Sequence, residues 1–194
     1  MSTNSGTVPP PPYAAATPPA GKSTFPSSLS LKFAHTVHRI GLAGLRVPCS
    51  SANAFPTTDL VGKAPFTDLD GGPVFVASAL VAGGRSVHPC KVTNGKCMVS
   101  FGGGEHHHQG RFDILPITQE MEWVAASYGQ IPKGRRPVEG GFEENGSHLF
   151  HAVLTIDGVS VPGKTGAHLH GANFPWGGGE RVEEGGYSVL CWRH

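Results

Sequence analysis

Short apolar segments that alternate with polar positions, among them Val74 to Ala79 and Leu149 to Ile156 bounded by glycine, run through the chain from about Gly62 onward. Val74 to Ala79, Met98 to Phe101, Phe112 to Leu115, Trp123 to Ala126, Leu149 to Ile156 and Tyr187 to Trp192 are apolar segments of strand length with strand patterning. Asn94-Gly95, Asn145-Gly146 and Asp157-Gly158 are dipeptides that turn tight hairpins, because Asn, Asp and Gly accept the positive φ such turns need. Upstream, Leu29, Leu31, Phe33 and Val37 alternate in the same way. Extended to Ile40 and Leu45, the same apolar positions also fit a helix, and both readings stay open. No apolar run approaches the roughly 18 residues of a membrane span.

Composition sharpens this picture. Glycine and proline number 28 and 17 of the 194 residues, about twice their usual combined share. At that density they interrupt every long helix, which excludes a helical bundle. The prolines crowd into residues 1–30 (Pro9 to Pro12, Pro18, Pro19 and Pro26) among Ser and Thr, with Lys22 the only charged side chain. Such a segment has nothing to bury and reads as a disordered, polyproline-like tail; Pro9 to Pro12 also fit a PxxP-type ligand. Met1 is followed by polar residues and Pro rather than a basic and then apolar stretch, so no secretory signal is expected. Acidic residues are absent before Asp59, as in some organelle transit peptides, but the early prolines oppose an import helix. The expected location is therefore cytoplasmic. A net charge of +1 implies no broad nucleic-acid surface, and 38% hydrophobic residues suffice for one modest core.

The glycines, unlike the prolines, are periodic. The block from Phe101-Gly-Gly-Gly-Glu105 to Phe112-Asp-Ile-Leu115 aligns without a gap on Trp176-Gly-Gly-Gly-Glu180 to Tyr187-Ser-Val-Leu190, at an offset of 75. The same offset pairs Gly71 with Gly146, Phe75 with Phe150 and Ala77 with Ala152. Pro89-Cys90-Lys91 matches Pro162-Gly163-Lys164 at an offset of 73, so one copy carries a small indel. This is an internal duplication. One copy alone leaves a sheet face unburied, so the two must pack or interleave. The expected fold is all-β, with two tandem β-repeats in one globular domain related by pseudo-twofold symmetry. Residues 1–30 form the tail, 31–59 a connecting segment, 60–120 a divergent first repeat and 121–194 the second.

The second copy contains, in order, Trp123-Val-Ala-Ala-Ser127, Gly129-Gln-Ile-Pro132-Lys-Gly134, Gly140-Gly141-Phe142-Glu143, Pro162-Gly163-Lys164, Gly177 to Glu180 and Tyr187 to Leu190. This ordered set resembles the DM9 repeat, a β-rich module found as tandem pairs in pattern-recognition lectins. The first copy keeps Pro89-Cys-Lys91, the Gly-rich turn and Phe112 to Leu115, but its opening strand is not recognisable. The resemblance covers about the last two-thirds of the chain. It implies intertwined sheets and binding of mannose-type sugars, held by a carboxylate after the Gly-Gly-aromatic turn and by the Lys of Pro-Gly-Lys. The matching residues are Glu143 and Lys164, and in the first copy Asp68 (or Asp70, with a small gap) and Lys91. Glu143 is longer than the usual Asp, and Cys90 replaces the usual Gly.

The chemistry suits a sugar independently of the family. A carboxylate accepts from two vicinal hydroxyls while an ammonium donates to a third, through charge-assisted bonds. The apolar face of the sugar ring wants an aromatic wall, for which Trp176 or Phe174 is placed nearby in sequence. One shallow site binds weakly, so avidity through both repeats or a homodimer is expected. The plainer alternative is that Glu143 and Lys164 form a surface ion pair.

Other chemistry finds less support. His106-His107-His108 and His168-Leu-His170 suggest a metal, but no carboxylate follows at a suitable spacing, and the second copy has Arg181-Val-Glu183 where the first has three His. No metal or other cofactor is expected. Cys49, Cys90, Cys97 and Cys191 include no CxxC pair; Cys90 and Cys97 flank the Asn94-Gly95 turn, where a hairpin disulfide or free buried thiols both fit. GxSxG, Walker and GxGxxG motifs are absent. Glu105 and Glu180 sit in identical contexts, which suits a repeated role in bonding the glycine turns better than a glycosidase pair. The chain is therefore expected to bind rather than catalyse. A lectin is the first reading, a non-lectin interaction module on the same fold the second, and a metal-dependent enzyme a distant third.

Overall fold

The computed structural model describes residues 43–194, so the proline-rich tail, and the strand-or-helix alternative over residues 29–42, lie outside the described residues. In the first half the strands are β1 (Val47–Ser50), β2 (Phe66–Thr67), β3 (Pro73–Val81), β4 (Ser86–Thr93), β5 (Lys96–Phe101), β6 (Gly104–His107) and β7 (Arg111–Ile114), with the short helix α1 (Thr58–Val61) between β1 and β2. In the second half they are β8 (Met121–Ala126), β9 (Arg136–Pro137), β10 (Glu139–Phe142), β11 (His148–Ile156), β12 (Val159–Gly166), β13 (Gly171–Trp176), β14 (Gly179–Glu183) and β15 (Tyr187–Trp192). The fold is all-β, as the alternating segments imply.

The strands pair antiparallel in the order β1-β7-β3-β4-β5-β6-β14-β13-β12-β11-β15-β8. Exchanging each strand for its counterpart in the other copy gives the same order read backwards. The register extends this to β1, which lies in the expected connecting segment. Cys49 pairs with Phe112 as Ala126 pairs with Tyr187, so β1 stands where β8 stands in the second copy. It lacks the tryptophan that marks β8, which is why the sequence hides it.

β10 pairs with both β11 and β4, and this joins the path into a barrel of eight antiparallel strands, β4-β5-β6-β14-β13-β12-β11-β10. Two joints of this barrel are a single residue pair wide, Gly179 with Gly104 and Phe142 with Val87. At the first, each copy clasps the other. Glu180 Oε2 accepts from Gly103 N–H and Glu105 Oε2 from Gly178 N–H, both at 2.8 Å. The duplicated glutamates therefore do bond glycine turns, each the turn of the opposite copy.

β4 and β12 run through Pro89 and Pro162, although proline is unusual inside a sheet. The ladders to β5 and β13 begin only at Lys91 and Lys164, two residues later, so on that side no ladder bond is lost. Asn94-Gly95 and Asp157-Gly158 turn with both residues at positive φ, the geometry that matches strand twist. At Asn145-Gly146 only the glycine does so.

Among the described residues three apolar clusters form the core. One belongs to the first copy (Phe75, Val92, Val99, Phe112, Ile114) and one to the second (Val161, Phe174, Tyr187, Val189). The third, including Val76, Leu115, Met121, Leu190 and Trp192, draws on both copies. Among the described residues no helix is long and apolar enough to cross a membrane.

Candidate functional site

Glu143 reaches its position because two glycines let β10 lie unusually close to β4. A Cβ on Gly140 would stand 2.5 Å from the Pro89 side chain, and one on Gly141 would stand 2.0 Å from the Val87 carbonyl oxygen. Gly141 also has φ +154°, a conformation that a side chain disfavours. The chain then turns immediately: Glu143 N–H donates to Ser147 O at 2.9 Å and Gly146 N–H to Glu143 O at 2.8 Å. The Glu143 carboxylate is thereby delivered beside His88, across the seam and in the other copy.

There His88 stands between acid and amine. Its Nε2 lies 3.3 Å from Glu143 Oε2 and 3.2 Å from Ser86 Oγ, and its Nδ1 lies 3.0 Å from Lys164 Nζ. An ammonium can only donate, so Nδ1 carries no proton and the ring is the neutral Nε2–H tautomer. Glu143 and Lys164 form no direct ion pair; the imidazole links them. His168 Nε2 approaches the other Glu143 oxygen at 3.5 Å. Phe101, in the first copy, covers the amine with its ring centroid 5.6 Å from Lys164 Nζ and meets His88 edge-on at 5.5 Å. The Lys164 side chain is 4% exposed, Glu143 21% and Phe101 54%, so acid and aromatic ring form the open face above a buried cation.

The first copy repeats part of this arrangement. The turn after Asp68 matches that after Glu143 bond for bond, with Asp68 N–H to Gly72 O at 2.9 Å and Gly71 N–H to Asp68 O at 3.0 Å. Asp68 is therefore the counterpart of Glu143. Asp70 corresponds to Asn145 and serves the turn itself, accepting from Gly72 N–H at 2.8 Å and from Asn94 Nδ2 at 2.8 Å. Asp68 and Lys91 are not joined. Asp68 accepts from the Thr93 hydroxyl at 3.1 Å, and Lys91 pairs with Glu105 at 3.1 Å. Trp176 lies 5.3 Å from Lys91 Nζ, so its ring belongs to the first copy's lysine and not to Lys164. Phe174 is fully buried in the second copy's core and offers no wall to a ligand.

Sequence reasoning named neither His88 nor Phe101 for the site. The only available signal was the offset that aligns Phe101 with Trp176; nothing local announces that each copy's aromatic covers the other copy's lysine.

Burial sets the electrostatics. It lowers the Lys164 pKa below the usual lysine value, against the upward pull of Glu143 and Glu180. Burial first, and the Lys164 ammonium second, pull His88 down from 6.5 to about 4, against Glu143 and Glu180. Burial, with Arg46 beside it, pushes His151 well below 6.5. The unfolded chain takes up these protons near 6.5, whereas folded His88 does so only near 4 and folded His151 only well below 6.5, so stability is lost as pH falls below about 6.5 and is unaffected by these groups above it. Each imidazole is expected to contribute a slope of about 1.4 kcal/mol per pH unit. Urea unfolding followed from pH 7 to pH 4 measures the combined slope. His88→Gln should flatten it, and an unaltered slope in that variant removes His88 from this account.

The remaining histidines of the run have ordinary partners. His106 Nε2 lies 2.9 Å from Phe101 O, His108 Nε2 2.9 Å from Arg111 O, and His107 bonds Gln109. Among the described residues no group of three or more His, Cys, Asp or Glu is placed to hold a metal ion. The four cysteines are free thiols, with Cys90 Sγ and Cys97 Sγ in contact at 3.5 Å and both buried.

A solved structure of similar fold is that of the nematode sperm cell motility protein MFP2B, with a TM-score of 0.52 and 21% identity over 76% of this chain. The match covers 46% of that protein, so the chain spans less than half its length. Comparison with curated protein sequences finds no match. The DM9 repeat family matches residues 68–183, which contain both lysines, both clasping glutamates and both acid-bearing turns. With more than half of its length matched, the chain belongs to the DM9 repeat family.

Proposed function

We propose that the chain is a carbohydrate-binding, lectin-like module without catalytic activity, and that it takes mannose-type sugars at Glu143 and Lys164 in an interleaved pair of repeats. The observation that carries this reading is the linkage through neutral His88, which holds a carboxylate and an ammonium apart, next to a half-exposed phenyl ring. Vicinal hydroxyls present two donors to one carboxylate and lone pairs to a nearby cation. The apolar face of the same sugar fits against Phe101. A direct ion pair would have neutralised both groups; with the imidazole inserted, the Glu143 side chain stays partly exposed between His88 and His168.

The test is retention on immobilised mannose and release by free mannose. Glu143→Ala and Lys164→Met are each expected to weaken retention at least tenfold, the loss of one or two charge-assisted bonds. Unchanged retention by either variant removes that residue from the site. No capture on mannose or on a glycan array, with the protein folded, supports an interaction module on the same fold instead.

A further inference from the structure

Lys91 and Lys164 occupy matching places on matching strands, yet their ammonium groups are held differently. Lys91 Nζ pairs with Glu105 Oε1 at 3.1 Å, a closed ion pair. Lys164 Nζ stands 3.9 Å from Glu180 Oε1 and is bonded instead to His88. The glutamates do not account for the difference, since each gives its other oxygen to a glycine N–H of the opposite copy at 2.8 Å.

The residues across the ladder do account for it. Lys91 pairs with Met98 on β5, and Lys164 pairs with Asn173 on β13. Asn173 Nδ2 donates to Glu180 Oε1 at 2.9 Å, taking the oxygen that in the first copy goes to the lysine. A thioether has no N–H with which to compete. In the second copy both carboxylate oxygens are thus occupied by amide donors, and the ammonium is left to His88. The carboxylate also fixes the orientation of the amide, because the reverse orientation would set two oxygens against each other. The other end of the amide, Asn173 Oδ1, is buried without a partner among the described residues, an uncommon state for a polar atom in a folded protein.

We propose that Asn173 is a positioning residue that holds Lys164 out of a closed ion pair, so that the second repeat binds sugar and the first, shut by its Lys91–Glu105 pair, does not. Each chain then takes one sugar. The stoichiometry rests on the carbohydrate-binding reading above, whereas the positioning of the lysine does not.

Two measurements separate the parts. Titration calorimetry with mannose is expected to give one site per chain, and Asn173→Met is expected to weaken binding about tenfold, the effect of losing one buried hydrogen bond. NMR of the lysine Nζ groups is expected to show Lys164 titrating about one pH unit higher in Asn173→Met, as it closes on Glu180. Unaltered Lys164 titration in Asn173→Met overturns the positioning role, whether or not mannose binds. Two sugars per wild-type chain overturns the assignment to one repeat. A wild-type chain that binds no mannose sinks the carbohydrate reading and the stoichiometry with it, while the lysine titrations still decide the role of Asn173.

Discussion

Replacing Gly141 by alanine is expected to cost about 2–3 kcal/mol of folding stability and to weaken mannose retention at least tenfold. The added methyl would fall 2.0 Å from the Val87 carbonyl oxygen, against backbone that cannot swing aside as a side chain does, and at a φ of +154°. Relief requires β10 to move away from β4, and that opens the seam held by the single pair Phe142 with Val87. Glu143 lies one residue past Phe142, so the movement carries the carboxylate away from His88. The comparison that isolates this effect is Gly146→Ala in the neighbouring turn. No atom lies within 4 Å of that methyl, and only the positive φ is penalised, at about 1 kcal/mol. Denaturant unfolding and mannose retention measured on both variants provide the check. Equal losses in the two would show that closeness to Val87 is not what matters.

Arg46→Met is expected to lower stability by about 3 kcal/mol, with little direct effect on the grouping of Glu143, His88 and Lys164. The guanidinium is the tie between β1 and the barrel. Nε donates to Ala43 O at 2.9 Å, Nη1 to Ser78 Oγ at 3.0 Å, and Nη2 to Glu139 O at 2.5 Å and to His151 Nε2 at 3.1 Å. Burial lowers its pKa to about 10, which leaves it charged at neutral pH, and it lines a cavity of about 380 Å³ together with Asp113, Glu139 and Phe142. Methionine fills part of the volume but withdraws the donor from the Glu139 carbonyl and from His151 Nε2, while among the described residues His151 Nδ1 already lacks a partner. Equilibrium unfolding is the measurement; a change below about 1 kcal/mol would mean that solvent in the cavity replaces these bonds.

Arg46 also marks where the sequence stops being informative. Its four acceptors come from its own segment, from β3, from β10 and from β11, an assembly of partners with no spacing along the chain to betray it. The strands and the duplication were legible because they rest on local features: alternation within six residues, glycine at turns, and a fixed offset between copies. By the same offset Glu105 and Glu180 were readable as turn partners. The site was readable only in part. Glu143 and Lys164 emerge from their motif, but His88 joins them through the register Phe142 with Val87, a contact between copies that no periodicity encodes. Phe174 and Trp176 looked equivalent as ring walls because both are aromatic and close to the glycine turn. Packing separated them, Phe174 into the core and Trp176 over Lys91. β1 stayed hidden for the opposite reason: its place in the sheet is set by pairing with β7, while its own residues, Val-Pro-Cys-Ser, carry little strand signal.

The crossed glutamate clasps have a consequence for how such a chain can change over time. A substitution that distorts one copy's positive-φ glycine turn displaces the backbone N–H that a carboxylate of the other copy accepts from, and trimming Phe101 or Trp176 uncovers a lysine that its own repeat does not shield. The heritable unit is thus the pair rather than the repeat. Two copies built this way drift while tethered to each other: free to differ where Asn173 stands in the place of Met98 and Val161 in the place of His88, and held in step where the clasps cross.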